Sequence, residues 1–85
     1  MSTERRTERA RLLEQLFDPA DDDELTRLLL RTREVALLFC VSERAVTDWA
    51  GKGRLPSVRT PGGHRRYPAL AVRARLEASG AADTR

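Results

Sequence analysis

The sequence predicts a mainly α-helical domain with a small β-hairpin wing, the architecture called a winged helix-turn-helix. One observation is a pair of short apolar-periodic segments within residues 32–51, separated by a turn at Cys40-Val41. Another is a pair of strand-like segments within residues 57–67, which flank a Pro-Gly-Gly turn and carry several arginines. Three of the four aromatic residues fall within residues 39–67, which locates the predicted core.

Length and charge limit the possible functions. A chain of 85 residues has room for one small domain and little space for a catalytic cleft, so we do not expect an enzyme. Residues 1–24 carry four arginines and eight acids, a net charge of −4, whereas residues 25–85 carry twelve basic and five acidic residues, a net charge of +7. A basic domain with an acidic appendage indicates a polyanionic partner; ordinary solubilising charge is the alternative.

Cysteine content and hydropathy bear on the compartment. A single cysteine, Cys40, excludes an internal disulfide, and its place in the apolar run of residues 35–41 predicts a buried thiol. That run is far shorter than a membrane span, and the charged N-terminus has no signal-peptide core. We therefore expect a cytoplasmic, nucleoid-associated protein with no membrane contact. One histidine and one cysteine provide no metal-ligand set, and no cofactor is expected.

The N-terminal residues 1–24 are predicted to form an amphipathic helix and an acidic linker. Residues 2–17 contain no helix breaker, and Ala10, Leu13, Leu16 and Phe17, with Leu12 alongside, give an apolar stripe. Such a helix could dock a protein partner or a second copy, could pack on its own domain, or could be disordered. Asp18-Pro19 ends it, and the linker that follows either shields the basic face or is simply solvated.

The main domain is predicted to span residues 25–78, followed by a flexible tail at 79–85. Residues 25–30 are apolar enough for a short helix or for a strand that pairs with the wing. The first helix of the helix-turn-helix begins at one of two caps. Thr32 has the better capping side chain, whereas Arg31 would place Glu34 at the third helical position and let Leu30 staple onto Val35.

The second helix of the motif has clear signals at both ends. Ser42 is a strong N-cap, and Val41 and Val46 have the spacing of a hydrophobic staple. Gly51 and Gly53 are predicted to end the helix by supplying left-handed backbone. Val46, with Trp49 and Ala50, is predicted to face the first helix.

The opposite face of this second helix is predicted to read DNA. Arg44, Thr47 and Asp48 lie there at 3- and 4-residue spacing, near the helix N-terminus that enters a major groove in such motifs. Arg44 could donate to guanine, and Thr47 could touch a phosphate or a thymine methyl. Asp48 could accept from a cytosine amino group, but a surface ion pair with Arg44 or Lys52 is the favoured interpretation.

The wing is predicted to be a stiff basic hairpin. Pro61-Gly62 suits the centre of a type II turn. Strand alternation puts Arg65 and Tyr67 on one face and His64 and Arg66 on the other, with Tyr67 expected near Val58 and Trp49. The cationic tip could follow phosphates or insert an arginine into a narrow minor groove.

A third helix is predicted from Pro68, at its first position, to about Ala78. Leu70, Val72 and Leu76 are expected to provide its apolar contacts. Arg73 and Arg75 are expected to project outward.

Two sequence elements, when they occur together, are fairly specific signs of a protein family. One is Trp49-Ala50-x-x-Gly53-x-Leu55. The other is Arg59-Thr60-Pro61-Gly62 followed directly by Gly63-His64-Arg65-Arg66-Tyr67. With Glu34-Val35-Ala36, Ser42 and Val46-Thr47, they resemble the MerR-like winged-helix superfamily, in particular its small BldC-type and excisionase-like members. The resemblance covers about residues 29–78. It implies binding to double-stranded DNA, with the second helix in the major groove and the wing at the minor groove.

The chain departs from that family in two ways. Full MerR regulators continue into a long dimerising helix and an effector domain, whereas this chain ends soon after the third helix. The head-to-tail binding of BldC-type proteins on direct repeats would suit such a chain. Asp48 occupies a position where such proteins often carry a basic residue, which leaves the target sequence open.

The expected DNA-contacting residues are Ser42, Arg44, Thr47, Asp48, Lys52, Arg59, Thr60, Gly63, His64, Arg65 and Arg66. The leading hypothesis is a sequence-selective transcription regulator. The alternatives are an excisionase-like protein that bends DNA at a recombination site and a protein-interaction module acting through residues 10–17.

Overall fold

The computed structural model describes residues 3–17 and 22–79. Residues 20–21 of the predicted acidic linker and residues 80–85 of the predicted tail lie outside these residues, whereas residues 22–24 form the start of a helix and residue 79 ends another. The described elements are α1 (Thr3–Phe17), α2 (Asp22–Arg27), β1 (Leu29–Arg31), α3 (Thr32–Phe39), α4 (Glu43–Gly51), β2 (Val58–Arg59), β3 (Arg65–Pro68) and α5 (Ala69–Ser79). The predicted fold class is confirmed: helices dominate, and α3 and α4 form the helix-turn-helix beside a small sheet.

The sheet has three antiparallel strands in the order β1-β3-β2. Both interpretations of residues 25–30 hold in part, because α2 ends at Arg27 and β1 begins at Leu29. In β1, Leu30 lies opposite Tyr67 and Arg31 lies opposite Arg66. Strand β1, which lies outside the β2-β3 hairpin, joins the wing to the start of α3, because α3 follows β1 with no intervening residue.

Tyr67 lies at the centre of the core and is fully buried. Leu30, its cross-strand neighbour, is also buried, so this face of the sheet packs against the helices. The hydroxyl of Thr32 donates to the Tyr67 hydroxyl oxygen at 3.4 Å. The predicted contact with Val58 is wrong: Val58 pairs with Arg66 on the outer face of the sheet and is 46% exposed.

Arg31 is the residue that caps α3. Its backbone N–H donates to Glu34 Oε1 at 2.8 Å, which satisfies a donor at the helix start. Leu30 and Val35 on either side are both buried, as a hydrophobic staple requires. The capping therefore follows the second of the two sequence alternatives.

The turn between α3 and α4 is a Schellman motif with Cys40 in left-handed backbone at φ 58°. Val41 N–H donates to Ala36 O at 3.0 Å, and Cys40 N–H donates to Leu37 O at 3.3 Å. The predicted buried thiol is wrong, since Cys40 is exposed. The chain leaves the helix axis at this residue, so its side chain lies beyond the last packed turn of α3.

A second Schellman motif ends α4. Arg54 N–H donates to Trp49 O at 2.8 Å and Gly53 N–H to Ala50 O at 3.1 Å, with Gly53 at φ 74°. Gly51 was also expected to supply left-handed backbone, but it remains the last residue of the helix. Of these two glycines, only Gly53 has the left-handed conformation that glycine favours.

The N-terminal helix α1 packs on the helix-turn-helix. Leu12 and Leu16 are buried in the same core as α3, α4 and α5, and Leu13 and Phe17 pack at its edge. The other member of the predicted stripe, Ala10, is exposed. Of the interpretations left open for this helix, packing on its own domain is the one observed.

Arginines attach the middle and the C-terminal end of α1 to its neighbours. Arg9 donates through Nε and Nη2 to Leu38 O at 3.1 and 2.9 Å, at the C-terminal end of α3. Arg33 of α3 forms a bidentate ion pair with Glu8 at 2.6 and 2.8 Å. Arg73 of α5 donates to Leu16 O at 3.3 Å, so the expectation that it projects outward is wrong.

The last helix differs in detail from its prediction. Pro68 is the last residue of β3, and α5 begins one residue later. Val72 and Leu76 are buried as expected, but Leu70 is 36% exposed. Ala69 takes the buried position instead, because its N–H donates to Leu28 O at 3.0 Å and holds the helix start against the sheet.

Candidate nucleic-acid interface

One face of α4 anchors the helix in the core. Val46 is fully buried, and Trp49 meets Phe39 of α3 edge-on, with ring centroids 5.2 Å apart. Since residues three and four apart share a helix face, this anchoring turns the other side of α4 to solvent. Arg44, Thr47 and Asp48 lie on that side, and all are exposed as predicted.

Ser42 begins α4 as predicted. Its hydroxyl oxygen accepts from Ala45 N–H at 3.1 Å, which satisfies a donor of the first turn. The residue is exposed, so the hydroxyl hydrogen is available to an acceptor outside the protein.

Two residues of the predicted reading face have partners within α4. Lys52 Nζ lies 3.0 Å from Asp48 Oδ2, which is the surface ion pair favoured for Asp48. Both side chains are more than half exposed, so the pair is weak and a nucleic acid could displace it. Thr47 donates to Glu43 O at 3.1 Å, which leaves its oxygen able to accept a further hydrogen bond.

The hairpin tip is a turn stabilised by Thr60. Gly63 N–H donates to Thr60 O at 2.8 Å, and Thr60 N–H donates to His64 O at 2.8 Å. The predicted type II turn is wrong, because Gly63 at φ 85° has the left-handed backbone and Gly62 does not. A turn followed by one left-handed residue is typical of three-residue hairpin loops.

Side chains also brace this tip. Thr60 Oγ1 accepts from His64 N–H at 3.3 Å, and Arg59 donates to Gly63 O at 3.2 Å. Thr60 and Gly63 therefore shape the loop, while Arg59 and His64 stay exposed beside it.

Arg65 and Arg66 lie half-buried on opposite faces of β3. Arg65 donates to Ser57 Oγ at 3.0 Å, on the face that Tyr67 shares by strand alternation. Arg66 donates to Arg65 O at 3.0 Å and lies on the outer face. A guanidinium carries five N–H donors, so each of these arginines keeps donors for an external anion.

The sheet brings a further cation to the wing. Arg31 of β1 is exposed and directly opposite Arg66, which in turn lies opposite Val58. These cross-strand partners share one face of the sheet, so the basic surface extends beyond the hairpin. Arg31 was not predicted as a site residue. The sequence signal that pointed to it was the alternative that the segment before α3 forms a strand that pairs with the wing.

Two more arginines lie beside α4. The Arg75 guanidinium lies over the Trp49 ring, 5.6 Å from its centroid, and donates to Arg54 O at 3.4 Å. Arg75 is exposed, as the sequence predicted, although it also covers the indole.

Within residues 3–17 and 22–79 no group of three or more histidine, cysteine, aspartate or glutamate side chains could hold a metal ion. None of the helices in the described part of the chain is long and apolar enough to cross a membrane.

Comparison with known families agrees with the fold. The sequence model of the family described as helix-turn-helix domain matches residues 29–80, which runs from β1 past the end of α5. The chain therefore belongs to this helix-turn-helix domain family. A search of curated proteins gave no match.

Proposed function

We propose that the protein is a sequence-selective transcription regulator that binds double-stranded DNA through α4 and the β2-β3 hairpin. The observation that carries the proposal is the exposed polar face of α4, held outward by the buried Val46 and flanked by a stiff arginine-rich hairpin. A short exposed helix fits a major groove, and a basic hairpin fits the phosphates or minor groove beside it.

Each part of the surface has a distinct role in this proposal. Arg44 reads a base edge, and Thr47 meets a phosphate or a thymine methyl group. Arg59, Arg65 and Arg66 bind phosphates or the minor groove, which positions the protein without reading most bases. Asp48 is neutralised by Lys52 and contributes little to affinity.

The finer family assignment is also part of the proposal. The Gly63-to-Tyr67 block and the Trp49-to-Leu55 block favour a MerR-like, BldC-type regulator that binds direct repeats head to tail. Such a protein acts in the cytoplasm, on the nucleoid, without a cofactor and without catalysis.

The stiff hairpin tip favours one second candidate, an excisionase-like protein that bends DNA. Four contacts brace residues 59–64, so the tip could enter a minor groove without collapsing. A docking role for residues 10–17 has less support, because Leu12 and Leu16 are buried in the domain's own core.

Selection from sheared host DNA tests the proposal. The purified protein is incubated with the fragments, and the retained fragments are sequenced beside those retained by the Arg44→Ala variant. Enrichment of many promoter regions with short tandem repeats is the expected result. Enrichment of a single attachment-like locus would favour the DNA-bending protein, and equal retention of all fragments would refute sequence selectivity.

A further inference from the structure

An open cleft of about 610 Å³ lies between α1 and the turn that joins α3 to α4. Its lining comprises Arg5, Arg6 and Arg9 of α1, Arg33, Ala36 and Leu37 of α3, Cys40 and Val41 of the turn, and Ser42 and Glu43 of α4. Four arginines and one glutamate therefore surround it, and one of the arginines, Arg33, is paired with Glu8. The lining is predominantly cationic, and such a cleft concentrates anions.

The cleft opens beside the N-terminus of α4. Ser42 caps that helix, and the next two residues are Glu43, which lines the cleft, and Arg44, the proposed base reader. An anion in the cleft would thus lie next to a helix in the major groove. In a DNA complex, the anion at that place is a backbone phosphate.

The first turn of α1 carries charge that its own helix does not favour. Arg5 and Arg6 follow Thr3, the first helical residue, so both lie at the positive end of the helix dipole. Glu4 in the same turn offsets part of this charge, and an anion bound beside the two arginines would offset more of it.

Two acids of α1 are absent from the lining of the cleft, although one of them, Glu8, pairs with Arg33 of that lining. Glu4 and Glu8 line a separate surface depression together with Thr3, Thr7 and Arg11. The helix therefore divides into a cationic side toward the turn and a mixed side away from it.

The position of this cationic side relative to α4 is fixed. Glu8 pairs with Arg33, Arg9 binds Leu38 O, and Leu12 and Leu16 are buried. A helix held in this way places its arginines near α4 without a rearrangement of the backbone, which favours a contact with a rigid partner.

From this arrangement we infer that α1 extends the DNA interface: Arg5 and Arg6 bind the phosphate backbone of the strand that borders the groove occupied by α4. The inference rests on the proposed function, because it places DNA against α4. The single acid of the cleft, Glu43, opposes the contact and limits its strength.

Two single variants with the same charge change test the inference. Arg6→Gln and Arg11→Gln each remove one cation from α1, but only Arg6 lines the cleft beside α4. Binding of the full chain to a mixed-sequence fluorescent DNA duplex is measured by anisotropy over a range of salt concentrations. A mixed sequence is suitable because phosphate contacts do not depend on base identity.

The expected result is a loss of DNA affinity in the variants on the cleft side of α1 and in no other variant. Arg6→Gln should make the log–log salt slope shallower by about 1 and weaken binding roughly 5- to 10-fold at 0.1 M salt, as loss of one phosphate contact predicts. Arg5→Gln combined with Arg6→Gln should roughly double the change in slope. Arg11→Gln should leave the slope unchanged, and thermal unfolding should show that none of the variants is less stable than the parent chain.

Failure of this inference can be distinguished from failure of the proposed function. If the parent chain binds with a steep salt slope but Arg6→Gln behaves like Arg11→Gln, then α1 does not contact DNA and this inference is overturned while the proposed function stands. If the parent chain itself does not bind duplex DNA, both the inference and the proposed function are wrong.

Discussion

At the scale of single residues, Cys40 shows how the helix-turn-helix turn is constrained. It adopts left-handed backbone at φ 58°, and it is the non-glycine residue with positive φ among the described residues. Left-handed backbone costs an L-residue about 1–2 kcal/mol because Cβ crowds the next carbonyl. The two peptide N–H groups that close the turn require this conformation, so the cost is built into the motif.

The first prediction concerns substitutions at this position. Cys40→Gly should raise the free energy of unfolding by up to about 1 kcal/mol, because glycine adopts positive φ without strain. Cys40→Val should lower it by about 1–2 kcal/mol, since a β-branched side chain is a genuine outlier at this φ. Cys40→Ala is the matched control and should change it little. Urea unfolding measures all three, and equal stability of the glycine and valine variants would contradict the explanation.

Arginines at the interface differ in what they are expected to do. Arg44 projects from the exposed face of α4, whereas Arg65 is half-buried on β3 and bound to Ser57. In the proposed function, the first residue meets base edges and the second meets the backbone or the minor groove.

The second prediction separates these two roles. Arg44→Ala should relax sequence preference by about 1–3 kcal/mol at one base pair, whereas Arg65→Ala should weaken binding to all duplexes alike. Competition binding against a panel of single-base variants of a selected site measures both effects. An unchanged base preference for Arg44→Ala would show that α4 does not read sequence through this residue.

At the scale of secondary-structure elements, α1 is the part whose role changes most between sequence and structure. Its apolar side chains are buried against α3 and α5 rather than left for a partner. Three arginine contacts join it to its neighbours, and two of these bind backbone carbonyls at helix C-terminal ends, where cations are favourable.

The third prediction measures how much α1 contributes to the domain. Leu16 is fully buried, so Leu16→Ala should lower the free energy of unfolding of the whole domain by about 2–4 kcal/mol. Gln15→Ala, one residue away on the exposed side, should change it by less than about 0.5 kcal/mol. Unfolding is followed by the fluorescence of Trp49, which lies in α4. If Leu16→Ala left this transition unchanged, α1 would be independent of the helix-turn-helix.

The fourth prediction uses pH to test the ion pair between α1 and α3. The hydrogen bonds from Arg33 hold the pKa of the Glu8 carboxyl below its ordinary value of 4.5. A carboxyl whose pKa is depressed by folding stabilises the folded state above its unfolded-state pKa, and this contribution is lost as pH falls through the lower folded-state pKa. The parent chain should therefore be more stable than Glu8→Gln at neutral pH, with the difference disappearing as the solution is acidified below the ordinary carboxyl pKa. Glu14→Gln on the same helix is the control, and a difference between the parent chain and Glu8→Gln that does not change with pH would contradict the assignment.

At the scale of the whole molecule, the sequence predicts the features that depend on local chemistry. Ser42 as a cap, Gly53 as a left-handed terminator and the alternation of Arg65 and Arg66 each follow from a few neighbouring residues. These signals are sufficient to predict the helix-turn-helix, the hairpin and the exposure of the polar face of α4.

What the sequence does not predict depends on contacts between distant segments. The pairing of β1 with β3 places Arg31 opposite Arg66, although the two are far apart in the chain. Likewise, nothing near Arg73 indicates that it will bind Leu16 O, since that contact requires α1 and α5 to meet. The position of Val58 was predicted wrongly for a related reason. The side of the sheet on which Val58 lies depends on the register of β2 against β3, and the left-handed residue Gly63 in the turn shifts that register.

The assembled molecule presents its cations on several elements around α4. Arg44 lies on the helix, Arg59 and Arg66 on the hairpin, and Arg31 on the adjoining strand. Within the described part of residues 1–24, Glu8 is paired with Arg33, and Arg6 lines the cleft at the turn. The central claim is that this surface binds the backbone of duplex DNA at several points at once.

The salt dependence of duplex binding tests that claim most directly. Binding releases counterions in proportion to the phosphates contacted, so affinity for a selected duplex is measured as salt is raised. If roughly four to six phosphates are contacted, the log–log slope should be about −4 to −5. A slope near zero would contradict the account, because it would mean that the basic surface around α4 does not meet the DNA backbone.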